Sequence, residues 1–137
     1  VNFNGESINL NGNTFSINGD LKQSKGTMYI NGGKLLINGN YDISSSGNTV
    51  YAYMKMTNPN DYVLVNGNYY NKAYDKHINM LTDGILEVKG NFEEAHGYYY
   101  ENFSASGNHK TILSGSDIQT ITFAHPGFSS FNILQVE

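Results

Sequence analysis

The phrase Leu35-Leu-Ile-Asn-Gly-Asn-Tyr41 returns as Val63-Leu-Val-Asn-Gly-Asn-Tyr69, and looser copies read Phe15-Ser-Ile-Asn-Gly-Asp-Leu21 and Leu86-Glu-Val-Lys-Gly-Asn-Phe92. A fifth, weaker copy is Thr111-Ile-Leu-Ser-Gly-Ser-Asp117. The pivot glycines Gly19, Gly39, Gly67, Gly90 and Gly115 stand 20, 28, 23 and 25 residues apart. Irregular spacing of this size marks one structural period that carries loop insertions. Within each copy apolar and polar positions alternate, as in a strand with one buried face. Three columns are therefore expected inside: Ile17, Ile37, Val65, Val88 and Leu113; Phe15, Leu35, Val63, Leu86 and Thr111; and Leu21, Tyr41, Tyr69 and Phe92. The Asn, Asp, Ser and Lys residues beside each glycine are expected at solvent-facing corners. The glycine is expected to supply a positive φ or a close turn that a side chain would forbid.

Upstream, Gly5, Gly12, Gly19, Gly26 and Gly33 fall seven apart, so three strand-plus-turn units fill one period of about 20 residues. That ratio predicts a three-sided coil. The fold expected is an all-β, right-handed parallel β-helix (β-solenoid) of about five coils, in which each coil covers its neighbour's core. The alternative takes the six Asn-Gly pairs as type I′ hairpin turns and gives an antiparallel β-sandwich. An antiparallel arrangement has no reason to repeat a whole phrase, whereas a solenoid requires it. The 137 residues suit a single domain over 1–137. Asn71 to His77, the only helix-like stretch, reads as an insertion loop.

Composition removes several classes of function. Charged residues are 15% of the chain and the formal net charge is -4, which leaves no electrostatic footprint for nucleic acid or an anionic membrane. All eight basic residues are lysine, so no guanidinium clamp for phosphate or carboxylate is available. Without cysteine there are no disulfides, thiolate metal sites or thiol nucleophiles. No apolar run reaches the roughly 18 residues of a membrane span, so membrane insertion is not expected. The first residue is Val1, and the chain alternates like a strand at both ends, a pattern expected of a segment excised from a longer repeat-containing protein whose flanking repeats would cap it.

The closing stretch, His109-Lys-Thr-Ile-Leu-Ser-Gly115, Gln119-Thr-Ile-Thr-Phe123 and Ser130-Phe-Asn-Ile-Leu-Gln-Val136, resembles β-solenoid repeat modules of bacterial cell-surface and secreted adhesin-like proteins. The Asn-Gly-Asn phrases upstream look similar to those proteins' preceding coils, so the resemblance covers most of the chain. It implies an extracellular or cell-surface location and an adhesive, carbohydrate-contacting or stalk role. Flanking repeats of the same polypeptide, a polysaccharide or a host or cell-surface protein are the partners it implies. It carries no catalytic residues.

Candidate chemistry is sparse. His77, His96, His109 and His125 are far apart and form no metal-binding spacing, and they are expected at the surface or at strand ends. Asp83, Glu87, Glu93 and Glu94 fall within one coil beside Lys89, which leaves calcium as the one cofactor to consider; the tight Gly-Gly-x-Gly-x-Asp calcium repeat is missing. Glu93 and Glu94 point to opposite faces of a strand, a poor pair for glycoside hydrolysis. No nucleophile elbow is present, so an enzyme, such as a polysaccharide lyase or hydrolase fragment, ranks third among the readings. The tyrosines carry the functional expectation. In Val50-Tyr-Ala-Tyr-Met-Lys-Met56, Tyr51 and Tyr53 share a face with Lys55 and should face water. In Tyr98-Tyr-Tyr-Glu101, expected one coil later, Tyr99 shares its face with Glu101. Outward rings on stacked coils would form an amphipathic aromatic strip suited to a sugar ring or a protein partner. The leading expectation is a non-catalytic structural and adhesive module. A carbohydrate-binding module using Tyr51, Tyr53 and Tyr99 is the alternative.

Overall fold

The computed structural model describes residues 1–45, 50–95 and 97–137, so His96 lies outside the described residues. The strands assemble into three parallel sheets. The first holds β1 (Asn2–Phe3), β4 (Leu21–Gln23), β7 (Tyr41–Ser44), β10 (Tyr69–Lys72), β12 (Phe92–Glu94) and β14 (Ile121–Phe123) in that spatial order. The second holds β3 (Thr14–Ile17), β6 (Lys34–Ile37), β9 (Tyr62–Val65), β11 (Ile85–Val88), β13 (Lys110–Leu113) and β15 (Ile133–Val136). The third holds β2 (Ser7–Asn9), β5 (Gly26–Tyr29) and β8 (Ala52–Lys55), and single parallel bridges at Leu81, Ala105 and Ser130 carry it into the later coils. The chain visits the sheets in turn, a three-sided β-solenoid. It makes six coils where about five were expected, because β14 and β15 build a last coil that has no glycine phrase of its own.

Strand register places the expected columns. Ile17, Ile37, Val65, Val88 and Leu113 are successive partners and all are buried. Leu21, Tyr41, Tyr69 and Phe92 stack in the same way in the first sheet, with Tyr41 edge-on to Tyr69 and Tyr69 stacked on Phe92 at 5.2 Å. Coil on coil, each side chain covers its counterpart, which is how a core only one coil wide excludes water.

The phrase glycines are needed for close approach more than for an unusual backbone. Gly19 alone among them has a positive φ, 133°. Gly39, Gly67 and Gly90 each donate their N–H to the carbonyl of the glycine one coil below, at 3.0, 2.9 and 2.9 Å. A Cβ on Gly67 would sit 2.7 Å from the carbonyl carbon of Gly39 and 2.8 Å from its oxygen, inside contact distance. The flanking polar residues do more than face solvent. The side-chain oxygens of Asp20, Asn40, Asn68 and Asn91 each accept the backbone N–H of the next coil, at 2.8, 2.8, 2.7 and 2.8 Å. Asn18, Asn38 and Asn66 form a second, amide-to-amide ladder at 3.1 Å per step. At the fifth corner Gly115 donates instead to Oε1 of Gln119, whose amide bonds the carbonyls of Val88 and Gly90.

The hairpin alternative fails for an instructive reason. Asn11-Gly12 and Asn31-Gly32 do take the paired positive φ values of a type I′ turn, 48° with 80° and 47° with 78°. The strands they join nevertheless pair with strands one coil away rather than with each other. Asn71 and Lys72 end β10, and residues 73–80 form a loop without helix. In the turn at 58–61 before β9, buried Asp61 accepts the N–H groups of Gly32, Thr57 and Asn58 at 2.5, 2.8 and 3.0 Å, pinning the loop to the coil below.

Along the Ile17 column burial holds as far as Leu113 and gives way at Val136, which is 69% exposed, while Val1 and Ile121 end the Leu21–Phe92 column at 64 and 40%. Two substitutions separate close approach from turn conformation. Gly67→Ala is expected to destabilise the fold by about 3 kcal/mol through overpacking. Gly12→Ala, with open space around its Cβ, is expected to cost about 1 kcal/mol in left-handed backbone strain. Urea unfolding of both variants checks the order.

Candidate functional site: an exposed tyrosine platform

Alternation in β8 sends Ala52, Met54 and Met56 into the core and turns Tyr51, Tyr53 and Lys55 outward, as expected. Tyr51 is exposed, and its ring lies parallel to that of Tyr53 within 7°, with centroids 6.1 Å apart. Tyr53 is half-buried rather than fully exposed, because its ring also packs edge-on against His77 at 5.4 Å. Tyr98 to Tyr100 lie two coils further along, not one. The coil between contributes Tyr74, which falls in the 73–80 loop and has no alternation around it to reveal it in the sequence.

Tyr74 holds the cluster together. It stacks on Tyr98 at 4.8 Å and meets Tyr99 edge-on at 5.9 Å, while Tyr98 and Tyr99 are themselves edge-on at 5.0 Å. Its backbone N–H donates to Ser45 Oγ at 2.7 Å. Lys76 Nζ sits 5.3 Å from the Tyr99 centroid and 3.0 Å from Glu101 Oε1, so the ion pair holds the cation over that ring. Tyr100 turns away to stack on His125 at 4.2 Å and pack against Phe128 at 5.4 Å. The structure thus places Tyr51, Tyr53 and Tyr99 on one side of the solenoid and adds Tyr74 and Tyr98 to them. Tyr51, Tyr98 and Tyr99 are the exposed rings.

Burial, followed by Asp75 and Tyr51, pushes the Tyr53 phenol up to about 12. Burial and the neighbouring Tyr98 and Tyr99 also raise Tyr74. What the arrangement offers chemically is apolar ring faces fringed by hydroxyl groups, of which that of Tyr53 is hydrogen-bonded to Asp75.

The other candidates disperse. Glu87 lies on the outer face of the second sheet, where it accepts from Tyr62 Oη and Ser114 Oγ, both at 2.6 Å. Glu93 is on the outer face of the first sheet and Glu94 is fully buried behind it, so the expected opposition of these two holds. Asp83 caps Gly84. Among the described residues no three His, Asp or Glu side chains come together as a metal site. The histidines are not all at the surface as expected: His77 and His109 are buried completely. His77 lies beneath Tyr53 and accepts the Met54 N–H at 3.4 Å, and His109 packs against Phe103. Both fill aromatic core positions as neutral imidazoles, and burial lowers each to about 4.

An unfolded chain with imidazoles near 6.5 binds more protons than the native one between that value and about 4. The stability these two residues allow is therefore complete above pH 6.5 and is lost as pH falls toward 4. Each accounts for about 2 kcal/mol by pH 5, given native values near 4. Burial raises Glu94 and Asp75, which favours the native state at low pH and offsets part of that loss. Urea titrations at pH 7 and pH 5 should show the fall, and His109→Phe should flatten it.

Compared with known proteins, the chain matches no protein-family description, no curated protein and no solved structure.

Proposed function

We propose that this chain is a non-catalytic structural and adhesive module of a bacterial surface or secreted protein, a stiff segment that presents a tyrosine platform to an extracellular partner. The observation that carries the reading is the platform itself: Tyr51, Tyr98 and Tyr99 are exposed, with Tyr53 stacked on Tyr51 and Tyr74 stacked on Tyr98. Large rings outside a core cost solubility, and tyrosine combines an apolar body with a polar tip suited to contact surfaces. Stiffness is supported by the axial hydrogen-bond ladders, which tie every coil to the next. Flanking repeats of the same polypeptide are the partners this reading includes, since each coil of a solenoid is covered by its neighbour.

A carbohydrate-binding module is the second reading, favoured by the parallel pair Tyr51 and Tyr53, in which a half-buried ring backs an exposed one. A pull-down on polysaccharides and on intact cells, with the Tyr51→Ala/Tyr99→Ala double variant as control, tests both readings. Retention on cells or on glycans should fall about tenfold or more in the double variant, in line with removing two exposed aromatic contacts. Equal retention of variant and parent would overturn the platform as the contact surface. Assays on uronic-acid polymers with added calcium are expected to show no turnover, and turnover there would replace both readings with a lyase.

A further inference from the structure

The first sheet carries a second surface feature that shares no residue with the tyrosine platform. Along its outer face each coil contributes a corner residue of the Asp20, Asn40, Asn68 and Asn91 ladder and, two positions later, an outward strand residue. Register sets those strand residues, Lys22, Asp42, Tyr70 and Glu93, in one line across four coils. Together the two lines border a groove of approximately 400 Å³, within the size range of small-molecule and saccharide sites. At about 4.8 Å per coil, the four coils give it a length of about 14 Å.

We propose that this groove binds a neutral polysaccharide chain lying along the solenoid axis. Four features of the groove select that ligand. The ladder is built before any ligand arrives, since each side-chain oxygen is committed to the backbone of the next coil; preorganised groups lose little entropy on binding. Asn68 and Asn91 keep their amide N–H donors uncommitted to any described residue, while Asp42, held by the Ser44 hydroxyl, and Glu93 supply acceptors. Hydroxyl-rich chains require both kinds of group. Tyr70 stands between Asp42 and Glu93 in the line, half-buried, and burial followed by those two carboxylates raises its phenol, so it presents a neutral ring to the C–H face of a sugar. Asp20, Asp42 and Glu93 outnumber Lys22, which repels uronate, sulfate and phosphate polymers.

The test is affinity electrophoresis of the 137-residue chain in native gels containing soluble neutral polysaccharides (β-glucan, xylan and mannan), with polygalacturonate and poly-lysine as charged comparisons. At least one neutral polymer should retard the chain, and Tyr70→Ala should weaken that retardation tenfold or more while Tyr51→Ala/Tyr99→Ala leaves it unchanged. Glu93→Lys should also weaken it, which keeps the test sound if Tyr70→Ala disturbs folding. In solution NMR the side-chain amide signals of Asn68 and Asn91 should shift on addition of the same polymer. Absence of retardation in every neutral polymer overturns the proposal. So does retardation by polygalacturonate or poly-lysine alone, or retardation abolished by the Tyr51/Tyr99 variant but not by Tyr70→Ala; this last result would leave the platform reading standing without the groove.

Discussion

Backbone contact between glycines of successive coils is the constraint on which this molecule rests. Where Gly39 lies over Gly19, Gly67 over Gly39 and Gly90 over Gly67, the chains approach too closely for any side chain. The Asx ladder beside this corner adds one hydrogen bond per coil and sets the register of the first sheet. Register matters because side chains alternate with period two, so a slip of one residue would turn every buried column outward. Glycine spacing and Asx identity are therefore a single requirement expressed at adjacent positions.

The stack is regular at its start and less regular further on, and the irregular part supplies half of the tyrosine platform. The third sheet has full strands only through β8; after that, loops with isolated bridges take the place of strands. These loops hold Tyr74 and Tyr98 to Tyr100. They also bring backbone groups into the interior, and buried amides answer them. Asn71 donates to the Asn102 carbonyl at 2.8 Å and accepts the Ala73 N–H at 3.0 Å, while Asn102 donates to the Ala95 carbonyl at 2.9 Å. Lower down, Gln23 accepts from Tyr41 Oη at 2.5 Å and donates to the carbonyls of Gly26 and Tyr53. Each of these amides gains partners in the interior that offset the cost of its burial, while Asn102 Oδ1 is left without one.

The outer faces of the sheets differ in chemistry although the same repeat builds them. The face of the first sheet mixes amides, carboxylates and one ring along a groove. The side bearing Tyr51, Tyr74, Tyr98 and Tyr99 is aromatic, with Lys76 and Glu101 at its edge. The interior columns of Ile17 and Leu21 keep to large apolar side chains by stacking against both neighbours, whereas outward positions have freedom to vary from coil to coil. That freedom allows one scaffold to carry two distinct surfaces.

The sequence by itself determined the coil. Alternation around Ile17, Ile37, Val65 and Val88, with a glycine two residues later each time, specifies strands, their buried faces and the period at which they stack, because these are local properties of the chain. It also separated Tyr51 from Met54 and Glu93 from Glu94, since neighbours on one strand must face opposite ways. Only the tertiary structure decided how far apart in the stack distant loops would lie. Tyr74 joins Tyr98 and Tyr99 because loops of different length end on adjacent coils, and His77 and His109 are buried because aromatic pockets close over them. The groove beside Tyr70 likewise exists only once four coils are aligned. Such relations depend on axial stacking of residues more than 20 positions apart, and no local pattern of alternation or propensity encodes them.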